Sequence, residues 1–407
     1  MACEGLMTAA LKSRLHTHHG SHRSLLHTAP RTSVMAPVDA IIVPTVRRPR
    51  ALTHAVDLAA ELNCTLVTLH SGCYSSARTT AELAAARGAE LLAVDVGEAP
   101  LHLLPRFRTS ALLEGTRFGR HNDISLKRNL GLLIARTAGW QRIVFLDDDI
   151  VVPDPLDLRR AAALTDWYAG VGLNIQGYPD NSVVCHAFRE AGGAQDVFVS
   201  GGALAVNARS TSLFFPNIYN EDWFFLLDAD HLGHTAVTGI AIQQPYDPFA
   251  QDIRARMEEL GDVLAEGLYW LLDEGYPLQD ADTDYWRAYL RIRQRFILDT
   301  MEMVRAERPS ELRARKLDSL KAAWGRSQYI KPEWCEAYVQ AWRDDRRTWQ
   351  QHLERIQPSR KANPRAGNVE KVVANLGLAF CSRYLPGQSL GQDVADLDLS
   401  MPVAVTD

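Results

Sequence analysis

The sequence predicts an α/β protein, with a mostly parallel sheet flanked by helices and an α-helical C-terminal region. Apolar runs alternate with segments of helical periodicity from Val38 to about Ile242, and strands that alternate with helices pair in parallel through right-handed crossovers. Beyond Pro248 only long amphipathic stretches remain, as in packed helices. At 407 residues, 46% hydrophobic and 23% charged, the chain can bury a large core. The expected organisation is a disordered leader over 1–36, a sheet domain over 37–249, a helical region over 250–357 and a loop-rich tail over 358–407.

The first 36 residues are rich in Arg, Ser, Thr and His, with His16, His18, His19, His22 and His27, the composition of a metal-binding tract or of a disordered leader, which is the reading favoured; Met35 is an alternative translation start. The first strand is expected at Val38 to Val43, closed by Pro44 and Thr45. A basic loop, Val46 to Arg50, leads to a helix on which Leu52, Val56, Ala59 and Leu62 recur at helical spacing. Thr65 to Leu69 and Leu91 to Val96 are the next strands, with a helix at Ala77 to Ala89 between them. Phe107 to Arg120 reads as a loop with a short helix. Asp123 is placed to cap a helix through Leu126, Leu130, Leu133, Ile134 and Ala138, which Gly139 ends.

At Arg142 to Asp149 an apolar run ends in three carboxylates, Asp147, Asp148 and Asp149. A short run bounded by charge is a strand buried on both faces, and its C-terminal end is where ligands bind in open α/β sheets. Strand alternation would point Asp147 and Asp149 one way and Asp148 the other. Two oxygen ligands on one side suit Mg2+ or Mn2+, which take one or two carboxylates plus substrate phosphates. Further strands are expected at Tyr168 to Ile175, at Ala203 to Val206 after Gly201 and Gly202, and at Thr235 to Ile242. Ile253, Met257, Leu260, Val263, Leu264 and Leu268 form the first stripe of the helical region; Tyr285 to Val304, Leu312 to Trp324 and Tyr338 to Ile356 follow.

Four short motifs in order, Pro-Thr-Val-Arg-Arg-Pro at 44–49, Lys-Arg-Asn-Leu-Gly at 127–131, Phe-Leu-Asp-Asp-Asp at 145–149 and Asn-Glu-Asp-Trp at 220–223, resemble those of nucleotide-sugar glycosyltransferases with the GT-A fold, especially family 2. The resemblance covers about Val38 to Pro248. It implies a GT-A-like nucleotide-sugar-binding and catalytic domain over 37–249, which moves a sugar from a nucleotide-diphosphate donor to the hydroxyl of an unknown acceptor. It assigns Asp147 and Asp149 to the metal, and Thr45, Arg47, Lys127, Arg128, Asn129, Asp147, Asp148, Gly201 and Gly202 to the nucleotide sugar. Asp222, with Glu221 beside it, becomes the general base of an inverting transfer; burial near Trp223 and Phe224 would raise its carboxyl pKa. Metal-dependent relatives often supply a late His; here Gln243 to Pro248 has none, and Asp247 is the candidate substitute.

Each motif has a plainer reading, as an acidic turn, a solvated helix face, a tight glycine turn or a capped helix start. A nucleotidyltransferase on a related sheet and a non-catalytic nucleotide-sugar-binding or interaction protein are the alternatives. The absence of a G-x-G-x-x-G turn after the first strand disfavours a dinucleotide oxidoreductase. A formal charge of −5 argues against broad nucleic-acid binding. No apolar run approaches the roughly 18 residues of a membrane span. The six cysteines form no C-x-x-C pair, which suggests reduced thiols in a cytoplasmic protein.

Overall fold

The computed structural model describes residues 20–29, 34–99, 101–120, 122–179, 181–356 and 369–387. The rest of the expected leader, the loop expected at 358–367 and the chain after Gly387 lie outside these residues. Ten described strands form one sheet: β1 (His27–Thr28), β2 (Ala40–Thr45), β3 (Thr65–His70), β4 (Leu91–Asp95), β5 (Arg142–Leu146), β6 (Ile150–Val151), β7 (Gly170–Gly177), β8 (Ala203–Asn207), β9 (Thr235–Gln243) and β10 (Ser382–Leu385). Their order is β1-β9-β7-β8-β5-β2-β3-β4-β10, with β6 paired to β9.

Among the described strand pairs five are parallel and four antiparallel, so the sheet is parallel for its larger part, with antiparallel strands inserted. β2, β3, β4 and β5 run parallel, but β8 lies antiparallel between β5 and β7, and β10 lies antiparallel on β4. A strand buried on both faces has the same apolar pattern in either direction, so composition does not fix its orientation.

The sheet is covered on both faces. Ile41, Val43, Val144 and Leu146 point into one core, with residues of α1 (Thr53–Leu62), α2 (Ala77–Ala85) and α5 (Leu156–Leu164). Ile42, Ile143 and Phe145 alternate to the other face, packed under α4 (Ile124–Ala138). Gly139 ends α4 at φ 74°, the left-handed C-terminal conformation that glycine adopts without penalty. The remaining described α-helices are α3 (Arg108–Leu113), α6 (Val183–Glu190), α7 (Glu221–Leu226), α8 (Asp252–Asp273), α9 (Thr283–Ala306), α10 (Glu311–Ser327), α11 (Pro332–Arg355) and α12 (Val369–Asn375). None of the described helices is long and apolar enough to cross a membrane.

Three boundaries differ from the sequence expectation. The helical region shares the core of the sheet's second face: Leu264 and Leu268 of α8, Trp286 of α9 and Trp342 and Trp349 of α11 are all buried in it. Each large side chain buried so fully contributes roughly 1.5–3 kcal/mol. The expected loop-rich tail supplies α12 and an edge strand, β10. The expected disordered leader supplies β1, parallel to β9, and a buried His22. These segments are short, and their order comes from contacts with distant residues. Ile253, expected on the apolar stripe, is 46% exposed.

Candidate active site

From β2 the chain winds through β3 and β4 on one side and returns to form β5 on the other. That reversal opens a crevice at the C-terminal ends of β2 and β5, the usual ligand position in such sheets. A cavity of about 420 Å³ lies there. One half is lined by Thr45, Arg47 and the three aspartates, the other by Asn181, Ser182, Val197 to Ser200 and Tyr219 to Trp223.

All three aspartates line the cavity, so the expected alternation is corrected. β5 stops at Leu146, and the Ile150 N–H donates to the Asp147 carbonyl at 3.2 Å, closing a turn in place of an extended strand. Arg47 donates to Asp149 at 2.8 Å and its Nε lies 3.1 Å from Asp148. The Thr45 hydroxyl donates to Asp148 at 2.6 Å. Burial raises the Asp148 carboxyl pKa, opposed by Thr45 and Arg47. Burial, then the Asp147 charge, raises that of Asp149.

Lys127, Arg128 and Asn129 are buried; Lys127 and Arg128 line the cavity, and the expected nucleotide contact of Asn129 is corrected by what it touches. The Lys127 ammonium donates to the Thr45 carbonyl at 2.9 Å and to Ser71 Oγ at 2.6 Å, and lies 2.9 Å from Asp123. Those partners take the three protons an ammonium has. Asp123, at the start of α4, binds Lys127 and makes no side-chain cap. Asn129 exchanges two hydrogen bonds with the backbone of Phe215 and does not line the cavity. Arg128 joins the two acidic motifs, donating to Asp147 at 2.9 Å and to Glu221 at 2.8 Å.

The glycines serve packing. A Cβ on Gly201 would meet the Arg128 guanidinium at 2.5 Å and Asp222 Cβ at 2.7 Å, so only glycine lets the buried arginine through. Gly202 donates to Ser200 Oγ and accepts from the Asp147 N–H. Glu221 lines the cavity and is held by Arg128 and by Arg120, 3.5 Å away. Asp222 lines the cavity; one oxygen accepts from the Gly201 N–H at 2.6 Å and the other from the Trp223 N–H at 3.0 Å. The adjacent Phe224 points away into the core against Tyr338 and Trp342.

Asn220, just before this pair, has φ 60°, a conformation that asparagine tolerates better than most residues. Its amide reaches Asp262 of α8 at 3.2 Å. The sequence reading missed Arg120, Asn220, Asp262 and Glu266. A signal existed for the last two: Glu258, Asp262 and Glu266 repeat every fourth residue within an apolar helix and are buried, a spacing that marks a built polar face.

Asp147, Asp148 and Asp149 offer hard oxygen atoms to one cavity, beside a guanidinium that already balances two of them. That donor set fits a dication whose shell is completed by substrate phosphates. Among the described residues no three His, Cys, Asp or Glu side chains form a ready-made metal cage. Asp247, the candidate substitute ligand, pairs instead with Arg315 at the surface.

No protein-family model matches the chain, and no curated protein is similar to it. Among solved structures, the mannosyltransferase PcManGT from Pyrobaculum calidifontis, in complex with GDP-Man and Mn2+, aligns with 81% of this chain and 88% of its own at 14% identity and a TM-score of 0.39. The likeness is remote, and the chemistry has to be read from this chain's own residues.

Proposed function

We propose that the chain is a metal-assisted glycosyltransferase of the GT-A type, moving a sugar from a nucleotide-diphosphate donor to an acceptor hydroxyl with inversion. The observation that carries this is the convergence of Asp147–Asp149 and Glu221–Asp222 on one cavity at the sheet's reversal point, tied together by the buried Arg128. Transfer needs a site for the diphosphate, a base for the acceptor and close alignment of the two. Thr45 and Arg47 border the donor half, and Arg47, 48% exposed at its side chain, is free to turn towards a phosphate. Asp147 and Asp149 would hold Mn2+ or Mg2+, which when bound offsets the charge of the leaving diphosphate. Asp222, oriented by two backbone N–H groups, takes the proton from the acceptor hydroxyl. Arg128 and Arg120 pair with Glu221 beside it and fix the start of α7.

The test is a melting-temperature panel of UDP, GDP, ADP, CDP and dTDP with and without Mn2+, on the wild type and Asp149→Ala. A ligand at about 100 times its Kd stabilises by roughly 2.7 kcal/mol. One nucleotide should raise the melting point only with metal, and Asp149→Ala should abolish the rise. A panel without any shift rejects the proposal.

A further inference from the structure

The second half of the cavity is bordered by a segment that the sequence places in a disordered leader. Of residues 20–28, Ser21 and His22 line the cavity. The segment is fastened along its length. The Asp196 N–H donates to the Gly20 carbonyl at 2.6 Å, Arg23 donates to the Val197 carbonyl at 3.3 Å, and β1 extends the sheet beside β9. Contact with the 194–196 turn is so close that a Cβ on Gly20 would lie 2.2 Å from the Ala194 carbonyl oxygen. The fit at that point requires glycine.

His22 is the anchor. It is 1% exposed, and its two ring nitrogens meet two carboxylates of α8: Nδ1 meets Asp273, and Nε2 lies 3.3 Å from Glu266. Ser24 Oγ donates to Asp273 at 2.6 Å. The ring stands edge-on to Trp223 at 5.4 Å and packs beside Tyr269 at 5.5 Å. Tyr269 and Phe198 enclose Trp223, and the Tyr269 hydroxyl donates to the Trp223 carbonyl at 2.9 Å. Trp223 follows Asp222 in the chain, and its own N–H donates to that carboxylate. A continuous set of contacts therefore runs from residue 22 to the carboxylate assigned as the base.

We infer that residues 20–28 form the outer wall of the acceptor half of the cavity, and that His22 is a positioning residue that sets Trp223, and through it Asp222, against the acceptor. The inference rests on the glycosyltransferase reading above. Aromatic and short polar side chains, Trp223, Phe198, Asn181 and Ser182, line this half. They suit a polyhydroxylated acceptor, whose C–H faces pack on rings while its hydroxyls bond to amides and carboxylates.

The experiment uses full-length chains carrying His22→Ala, His22→Gln or Gly20→Val, the last to push the segment off its seat. Three quantities are read: amide exchange over 197–202 and 221–223, nucleotide affinity with Mn2+, and slow transfer to water from UDP-glucose, GDP-mannose and dTDP-glucose. In that transfer the bond from the anomeric carbon to the diphosphate breaks, the water oxygen bonds to that carbon, and Asp222 takes the water's proton. In His22→Ala and Gly20→Val, exchange over both segments should quicken at least about tenfold. The kcat for transfer to water should fall by about tenfold or more while donor KM and nucleotide Kd stay within about twofold. His22→Gln, which keeps an N–H donor, should recover part of the loss. Unchanged exchange and kcat would overturn the inference, as would nucleotide affinity falling in step with kcat, which would mark a general structural role. If the wild type binds no nucleotide, the glycosyltransferase reading falls, and exchange alone decides whether the segment is a wall.

Discussion

The two halves of the cavity balance their acids in opposite ways. In the donor half, Asp148 and Asp149 are contiguous in sequence and are met by Arg47, a half-exposed side chain on a surface loop. On the other side, Glu266, which lines the cavity, and Asp273, which does not, are met by His22, nearly 250 residues away and fully buried. A guanidinium at the surface can leave when a cation or phosphate arrives, at a cost of about 0.2–1 kcal/mol. A buried imidazolium cannot leave without stranding two carboxylates in a dry site. The half with Arg47 thus has an exposed counterion, and the half with His22 a buried one. Arg128 joins them, with one carboxylate from each acidic motif on its guanidinium.

Removing that joint should have the largest effect. Arg128→Met leaves Asp147 and Glu221 facing a guanidinium-sized gap, and breaking a buried pair in this way costs about 3–5 kcal/mol. Urea unfolding would measure it; a loss under about 1 kcal/mol would mean the acids find other partners and that the two halves are independent.

The next effect separates the halves by pH. Burial disfavours a charged His22, but the hydrogen bonds from Asp273 and Glu266 and their charges outweigh it and raise its pKa to about 9. A histidine whose folded pKa lies above its unfolded value of about 6.5 gives stability that is fully present below pH 6.5 and is lost as pH rises through about 9. The wild type should therefore lose about 2–3 kcal/mol across that window relative to His22→Ala. Parallel pH profiles for the two proteins would show that His22 is not held as the cation.

The smallest effect tests how easily the donor half exchanges its counterion. Arg47→Ala frees Asp148 and Asp149, so Mn2+ affinity without nucleotide should rise by about twofold to fivefold, read by titration of the water-proton relaxation of Mn2+. A fall in Mn2+ affinity would show that Arg47 orders the aspartates for the metal and does not compete with it.

Much of the donor half was legible because its cause is local. An apolar run that ends in acids is a strand end, and Val38 to Val43 predicts a neighbouring strand two residues short of its observed start and end. Gly139 reads as a helix stop and is one. The roles of the basic residues were less legible. Lys127 and Arg128 have the composition of a phosphate site, but composition does not say which partners a cation already holds, and here Lys127 meets Thr45, Ser71 and Asp123 while Arg128 meets Asp147 and Glu221. Asn129 was misread for a similar reason, since an amide that bonds a nucleotide and one that bonds the Phe215 backbone look identical in sequence.

By itself the sequence determined the alternation of strands and helices and the two clusters of acids, because periodicity and strand-end charge are properties of neighbouring residues. Only the tertiary structure decided that β8 runs antiparallel, that β10 joins the sheet from the far end of the chain, that all three aspartates turn into one cavity, and that His22 lines the same cavity. Each of these depends on partners far apart in the chain, and a short polar segment such as 20–28 carries no pattern of its own from which its partner could be inferred.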